Sequence, residues 1–103
     1  MSVISLSDGD AIAKFRKLHP KSVLYFTATW CPPCKAIAPI YAEMAKNYDG
    51  VAFGKVDIDD DQESAAKFEI RAVPTFVFSE GEKVVNTFTG ADQNQLEKHV
   101  QDL

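Results

Sequence analysis

The stretch that decides the fold is Trp30-Cys31-Pro32-Pro33-Cys34, which separates an apolar run from a segment with helical periodicity. The run before it, residues 22–27, is β-branched and aromatic with little polar alternation, as is typical of a central strand buried on both faces. After Cys34, apolar residues recur at three- and four-residue spacing as far as Asp49-Gly50, which predicts a helix. The two cysteines therefore lie at a strand-to-helix junction.

Cysteines placed at the start of a helix are suited to thiol chemistry. At or near the N-cap, Cys31 receives the unpaired first-turn amides and the positive end of the helix dipole, both of which lower the pKa of a thiol. Pro32 and Pro33 carry no N–H, so we expect the Cys34 amide to be the donor to the Cys31 sulfur. Cys34 follows one turn later on the same helix face. It can therefore attack a mixed disulfide formed at Cys31.

Core packing and zinc binding are the other uses of such a pair. Free cysteines often fill buried core positions. A structural zinc site takes four ligands, and the only two histidines, His19 and His99, lie far from zinc-finger spacing. A C-x-x-C at a strand-to-helix junction favours redox chemistry over both uses, and we predict no metal site.

The rest of the chain predicts the order β-α-β-α-β-α-β-β-α. Strands are predicted at residues 3–6, 22–27, 51–58, 75–78 and 83–89, and helices before His19, before Asp49, at 59–68 and after Asp92. The first helix carries Ala11, Ile12, Phe15 and Leu18 on one face. We predict a single α/β domain over residues 1–103, with parallel strands plus a C-terminal antiparallel hairpin in one mixed sheet and helices on both faces.

Composition excludes several partners. The sequence has eleven Lys and Arg and fifteen Asp and Glu, which gives a formal charge of −4. No basic surplus is therefore present to bind nucleic acid or an anionic membrane. No apolar run approaches the roughly 20 residues that span a bilayer. The segment Met1–Leu6 has no basic region leading into a long apolar one. We therefore expect a cytoplasmic protein.

Several motifs together resemble the thioredoxin family. Residues 30–35, Trp-Cys-Pro-Pro-Cys-Lys, are similar to the family's active-site motif, most often Trp-Cys-Gly-Pro-Cys-Lys. Further matching segments are Phe26-Thr27-Ala28-Thr29, Ala38-Pro39, Lys55-Val56-Asp57-Ile58-Asp59, Ile70 to Phe76 and Gly90-Ala91. The resemblance covers nearly the whole chain and implies the thioredoxin fold, with a cis bond before Pro74.

The resemblance also implies a thiol–disulfide oxidoreductase that reduces protein disulfides. Cys31 would be the nucleophile and Cys34 the resolving thiol of a redox-active disulfide. Supporting residues would be Trp30, Pro32, Pro33, Lys35, Lys55 and Pro74, and the substrate surface would comprise Trp30, Pro32, Val73, Pro74, Gly90 and Ala91. No bound cofactor is implied, because electrons would come from NADPH through a separate thioredoxin reductase, and the chain would act as a monomer.

Two residues depart from the family pattern. Pro32 replaces the commoner glycine, as in tryparedoxins and nucleoredoxins, so a low-molecular-weight dithiol remains open as the electron donor. Tyr25 replaces a buried aspartate that assists proton transfer at the resolving cysteine in many thioredoxins. A phenol with an ordinary pKa of about 10 is a weak base near neutrality. We therefore expect Tyr25 to be a core residue with its hydroxyl bonded, and water with Lys55 to handle the Cys34 proton.

Two rival functions remain. A domain of the protein disulfide isomerase kind would usually carry a histidine between the cysteines, and none is present here. A thioredoxin-fold interaction module that needs no turnover would have no requirement for both cysteines.

Overall fold

The structure is a computed structural model that describes residues 2–103. In chain order its elements are β1 (Ile4–Ser5), α1 (Gly9–Leu18), β2 (Lys21–Thr27), α2 (Pro32–Asn47), β3 (Ala52–Asp57), α3 (Gln62–Lys67), β4 (Thr75–Glu80), β5 (Lys83–Thr89) and α4 (Gln93–Asp102). The strands form one five-stranded sheet in the order β1-β3-β2-β4-β5. This order puts β2, the strand that leads into the cysteines, at the centre of the sheet.

The sheet is mixed, as predicted, with three parallel strands and a C-terminal antiparallel hairpin. β1, β3 and β2 are parallel, whereas β4 is antiparallel to β2 and β5 is antiparallel to β4. Helices α1 and α2 join parallel strands, whereas α3 joins β3 to β4, which run in opposite directions. At six residues, α3 spans only about 9 Å, too little to carry the chain back along the sheet. The chain therefore re-enters where it left, with Thr75 paired to Phe26 at the end of β2.

Alternate residues of the central strands enter two separate cores. On one face, Val23 and Tyr25 of β2 pack with residues of α2 and α4, among them Tyr41 and Leu96. On the other face, Leu24 and Phe26 pack with α1 and with the segment after α3. Residues Ser22 to Thr27 are all buried, which confirms the strand predicted to be covered on both faces. The helices on both faces hold β2 rigidly behind the cysteines.

Several predicted boundaries shift by a few residues. β1 is shorter than predicted, and β4 continues to Glu80, so that only Gly81 and Glu82 form the hairpin turn. Gly81 has a φ of 60°, a conformation that glycine adopts without strain. α3 begins after Asp61, whose side chain accepts from the Ser64 amide, and not at Asp59.

The predicted inner face of α1 is partly wrong. Ile12 and Phe15 are buried, but Leu18 is 69% exposed at the last turn of the helix. Leu18 is the last helical residue before His19-Pro20, where the chain turns into β2. Pro39 lies within α2, as predicted.

Candidate active site

The two cysteines lie at the N-terminus of α2. Cys31 is the N-cap residue, and its Sγ accepts a hydrogen bond from the Cys34 amide over 3.2 Å. Pro32 and Pro33 occupy the first helical positions, where a missing N–H leaves no intrahelical bond unmade. The sequence-based placement of Cys31 and of its amide donor is thus confirmed. The sulfurs are joined in a Cys31–Cys34 disulfide, and both residues are almost completely buried.

The loop before β4 lies against the disulfide. The Val73 carbonyl oxygen is 3.6 Å from Cys31 Sγ, and the Val73–Pro74 bond is cis, as the resemblance implied. The Gly90 amide donates to the Pro74 carbonyl over 2.9 Å. The structure therefore brings Val73 to the cysteines and ties Gly90 to the adjacent Pro74, and Ala91 follows Gly90 as an exposed residue.

Two threonine hydroxyls hold this loop in place. Thr75 Oγ1 donates to the Ala72 carbonyl over 2.6 Å and lies 3.0 Å from Thr89 Oγ1. Because the single proton of Thr75 is used on Ala72, Thr89 is the donor between the two hydroxyls. The loop beside the cysteines is thereby tied to the end of β5, a connection that the sequence did not suggest.

Trp30 is exposed and oriented by an acidic residue. Its side chain is 63% exposed, and its Nε1 donates to Asp59 Oδ2 over 2.9 Å. The sequence places Asp59 in an acidic stretch best explained as the solvated start of a helix, so this role was missed. Pro32, Pro33 and Lys35 are exposed on the first turn of α2 beside it.

Tyr25 is a core residue bonded to the active-site helix. Its hydroxyl donates to the Cys34 carbonyl oxygen over 2.8 Å, and its ring stacks on Phe76 with centroids 5.1 Å apart. Burial raises the pKa of the Tyr25 phenol above its ordinary value. This bonded, buried phenol is the arrangement expected from the sequence.

A cavity of about 350 Å³ lies on the side of Cys34 that faces the sheet. Its lining includes Tyr25, Cys34, Lys35, Lys55 and Asp57. Lys55, which the sequence suggested for the Cys34 proton, lines the same cavity as Cys34, whereas Asp57 was missed. The signal for Asp57 was its position two residues after Lys55 on a strand, which places both side chains on the same face.

The thioredoxin family model matches residues 3–102. The chain belongs to the thioredoxin family. It is 48% identical to thioredoxin H4-2 of Oryza sativa subsp. japonica over 81 residues, which are 79% of this chain and 61% of that protein. It is 45% identical to thioredoxin H5 of Arabidopsis thaliana over 74 residues, 72% of this chain and 63% of that protein. The matches thus span about three fifths of these two curated relatives.

Solved thioredoxins share the fold closely. Mitochondrial thioredoxin 3 from Saccharomyces cerevisiae, in its oxidised form, superposes with a TM-score of 0.94 at 33% identity, covering 98% of this chain and 95% of that one. Within residues 2–103, no group of three or more acidic, histidine or cysteine side chains is placed to hold a metal ion. In the same part of the chain, the helices are too short or too polar to cross a bilayer.

Proposed function

We propose that this thioredoxin-family chain is a thiol–disulfide oxidoreductase that reduces disulfides in proteins. The observation that carries the proposal is the hydrogen bond from the Cys34 amide to Cys31 Sγ at the N-terminus of α2. In the reduced protein, this amide and the helix dipole stabilise a thiolate on Cys31, and the thiolate is the form that attacks disulfides.

The reaction consists of two exchanges. The Cys31 thiolate attacks one sulfur of the substrate disulfide, and the other sulfur leaves as a thiolate and takes up a proton. Cys34 then loses its proton and attacks Cys31, which releases the second substrate thiol and forms the Cys31–Cys34 disulfide. Two electrons pass from the dithiol to the substrate. Because the dithiol itself carries these electrons, the reaction needs no bound cofactor.

Substrate segments would bind in extended form across the disulfide. The backbone of Val73 lies beside Cys31 Sγ and offers hydrogen-bonding groups to an extended chain. Around it, Trp30, Pro32, Gly90 and Ala91 form the mainly apolar contact surface, whereas Pro74 itself is buried. Trp30 is the most prominent exposed ring of this surface. Lys35 on the same helix end adds a positive charge near the thiolate.

The proposal includes a donor and a compartment. A separate NADPH-dependent thioredoxin reductase would return the chain to its dithiol form. The chain would act in the cytoplasm as a monomer, and neither nucleic acid nor a membrane would be among its partners. The Pro-Pro between the cysteines supports a second donor, a low-molecular-weight dithiol of the kind that feeds tryparedoxins. The rates at which a thioredoxin reductase and a low-molecular-weight dithiol reduce the disulfide of the purified chain, measured in parallel, distinguish the two donors.

Trapping the mixed disulfide tests the proposal. A Cys34→Ser variant incubated with native, disulfide-bonded insulin should form a covalent adduct through Cys31, whereas Cys31→Ser should form none. The parent chain should reduce insulin catalytically in the presence of dithiothreitol, and the double serine variant should not. A double variant that supports the biological role fully would establish the interaction-module alternative and contradict the redox proposal.

A further inference from the structure

The second exchange requires a proton to leave Cys34, a residue only 1% exposed. Tyr25 occupies the strand position where many thioredoxins carry a carboxylate, and its hydroxyl is engaged as a donor to the Cys34 carbonyl. Burial raises the pKa of this phenol, so it remains protonated at neutral pH. Tyr25 therefore cannot accept the Cys34 proton.

The cavity beside Cys34 contains one carboxylate. Of the residues that line it, only Asp57 is acidic. Asp57 pairs in register with Thr27, and Lys55 pairs with Tyr25, so all four side chains lie on the face of the sheet that packs against α2. At about 350 Å³, the cavity has room for water between Cys34 and this carboxylate.

We propose that Asp57 accepts the Cys34 proton through water in this cavity during the second exchange. The inference rests on the proposed function. As the Cys34 sulfur bonds to Cys31, the bond from Cys31 to the substrate sulfur breaks and its electron pair leaves with the substrate thiolate. The proton that left Cys34 passes to the Asp57 carboxylate and then to the departing thiolate or to solvent. No further oxidant or reductant enters this step.

The charges around Asp57 are compatible with this role. Lys55 on β3 and Lys35 on α2 line the same cavity, so two lysines and one carboxylate share it. The net positive charge stabilises an anion that forms at Cys34. Asp60 lines a neighbouring cavity together with Asp57 and Lys55, and Cys34 does not line that cavity. In the cavity beside Cys34, Tyr25 of β2 contributes a neutral phenol.

The two exchanges can be timed separately with Ellman's reagent. Reduced protein releases one thionitrobenzoate when Cys31 attacks the reagent and a second when Cys34 resolves the adduct. In an Asp57→Asn variant, the second release should be at least about tenfold slower at pH 6 to 7, because a proton acceptor is removed. The difference should narrow as the pH rises, because hydroxide can then take the Cys34 proton in place of the carboxylate. The rate of the first release should be unchanged.

Asp60→Asn is the matched control, since it removes the same charge three residues away and should leave both phases unchanged. The Asp57→Asn side chain keeps an oxygen that can accept the hydrogen bond from the Asp59 amide, which Asp57 Oδ1 accepts over 2.9 Å. If that variant does not fold, Asp57→Ser replaces it and retains an acceptor. A second phase whose pH profile matches the parent's contradicts the role of Asp57, whereas loss of the first phase in the parent chain contradicts the proposed function itself.

Discussion

The Tyr25 hydroxyl donates to the Cys34 carbonyl oxygen over 2.8 Å, so the central strand is bonded directly to the backbone of the second active-site cysteine. The same ring stacks on Phe76 and packs against Tyr41. Tyr25 therefore fixes the position of the helix turn that carries Cys34. The residue supports the site by its geometry and leaves proton transfer to other groups.

Replacing Tyr25 with phenylalanine should cost stability and spare turnover. The variant keeps the ring contacts but leaves the Cys34 carbonyl without this donor, which should lower the free energy of unfolding by about 1 kcal/mol. Insulin reduction should stay within about twofold of the parent rate, because the phenol transfers no proton. Chemical denaturation of the oxidised protein and an insulin assay check both parts. A sharp loss of turnover at unchanged stability would contradict this account of Tyr25.

Stability should fall at alkaline pH because two tyrosines are buried. Desolvation raises the pKa of Tyr25, and it raises that of Tyr41 well above its ordinary value. Both phenols stabilise the folded state fully below about pH 10, the pKa in the unfolded chain. Above that pH the unfolded chain loses these protons first, so stability falls by up to about 1.4 kcal/mol per pH unit for each group.

Urea denaturation of the oxidised protein between pH 8 and 11 measures this loss. The matched variant is Tyr41→Phe, which lacks the hydroxyl that donates to the Gly54 carbonyl over 2.7 Å. It should be less stable than the parent at pH 8 and should lose less stability on going to pH 11. If the free energy of unfolding fell in parallel with pH for the two proteins, Tyr41 would not contribute to the loss of stability at alkaline pH.

Releasing Trp30 from Asp59 should weaken substrate binding. In an Asp59→Ala variant the indole loses its bond to Oδ2 and gains rotational freedom, so ordering it against a substrate should cost about 0.5–1 kcal/mol. The KM for a protein disulfide should rise about two- to fivefold with little change in kcat. Trp30 is the only tryptophan, so its fluorescence anisotropy reports the freedom directly. An Asp60→Ala control should leave both anisotropy and KM as in the parent.

Removing the Thr75 hydroxyl should loosen the loop beside the disulfide. Thr75→Val leaves the Ala72 carbonyl without its donor and breaks the bond with Thr89. The free energy of unfolding should fall by about 1–2 kcal/mol, and the rate of insulin reduction should fall as the Val73 carbonyl loses its fixed position near Cys31. Thr87→Val, at an exposed position on β5, should change neither. A Thr75→Val protein with parental activity would show that the loop holds without this bond.

Local patterns predicted the elements and the cysteine geometry well, because they depend on neighbours in sequence. The placement of Cys31 at the N-cap followed from the prolines and the helix that comes after them. The direction of β4 did not follow from local patterns, because it depends on the short distance over which helix α3 carries the chain along the sheet. Leu18 was misplaced because helical periodicity shows which face a residue lies on but not whether the core extends to the last turn.

Contacts between segments that are distant in sequence could not be predicted. Asp59 bonds to Trp30 across 29 positions of sequence, and Thr75 meets Thr89 across 14. Their acidic and hydroxyl side chains are of types common on any solvated surface, so nothing in the sequence marked them. Asp57 is the exception, because strand alternation from Lys55 could have placed it beside the cysteines.

The reduction potential of the Cys31–Cys34 pair tests the central claim most directly. The purified chain is equilibrated in graded dithiol buffers, its free thiols are alkylated, and the alkylated fraction is counted by mass spectrometry. A protein that reduces disulfides should show a potential near the value typical of thioredoxins, about −270 mV. A potential of about −180 mV or higher would make the pair a disulfide donor, and it would contradict the proposed direction of electron flow.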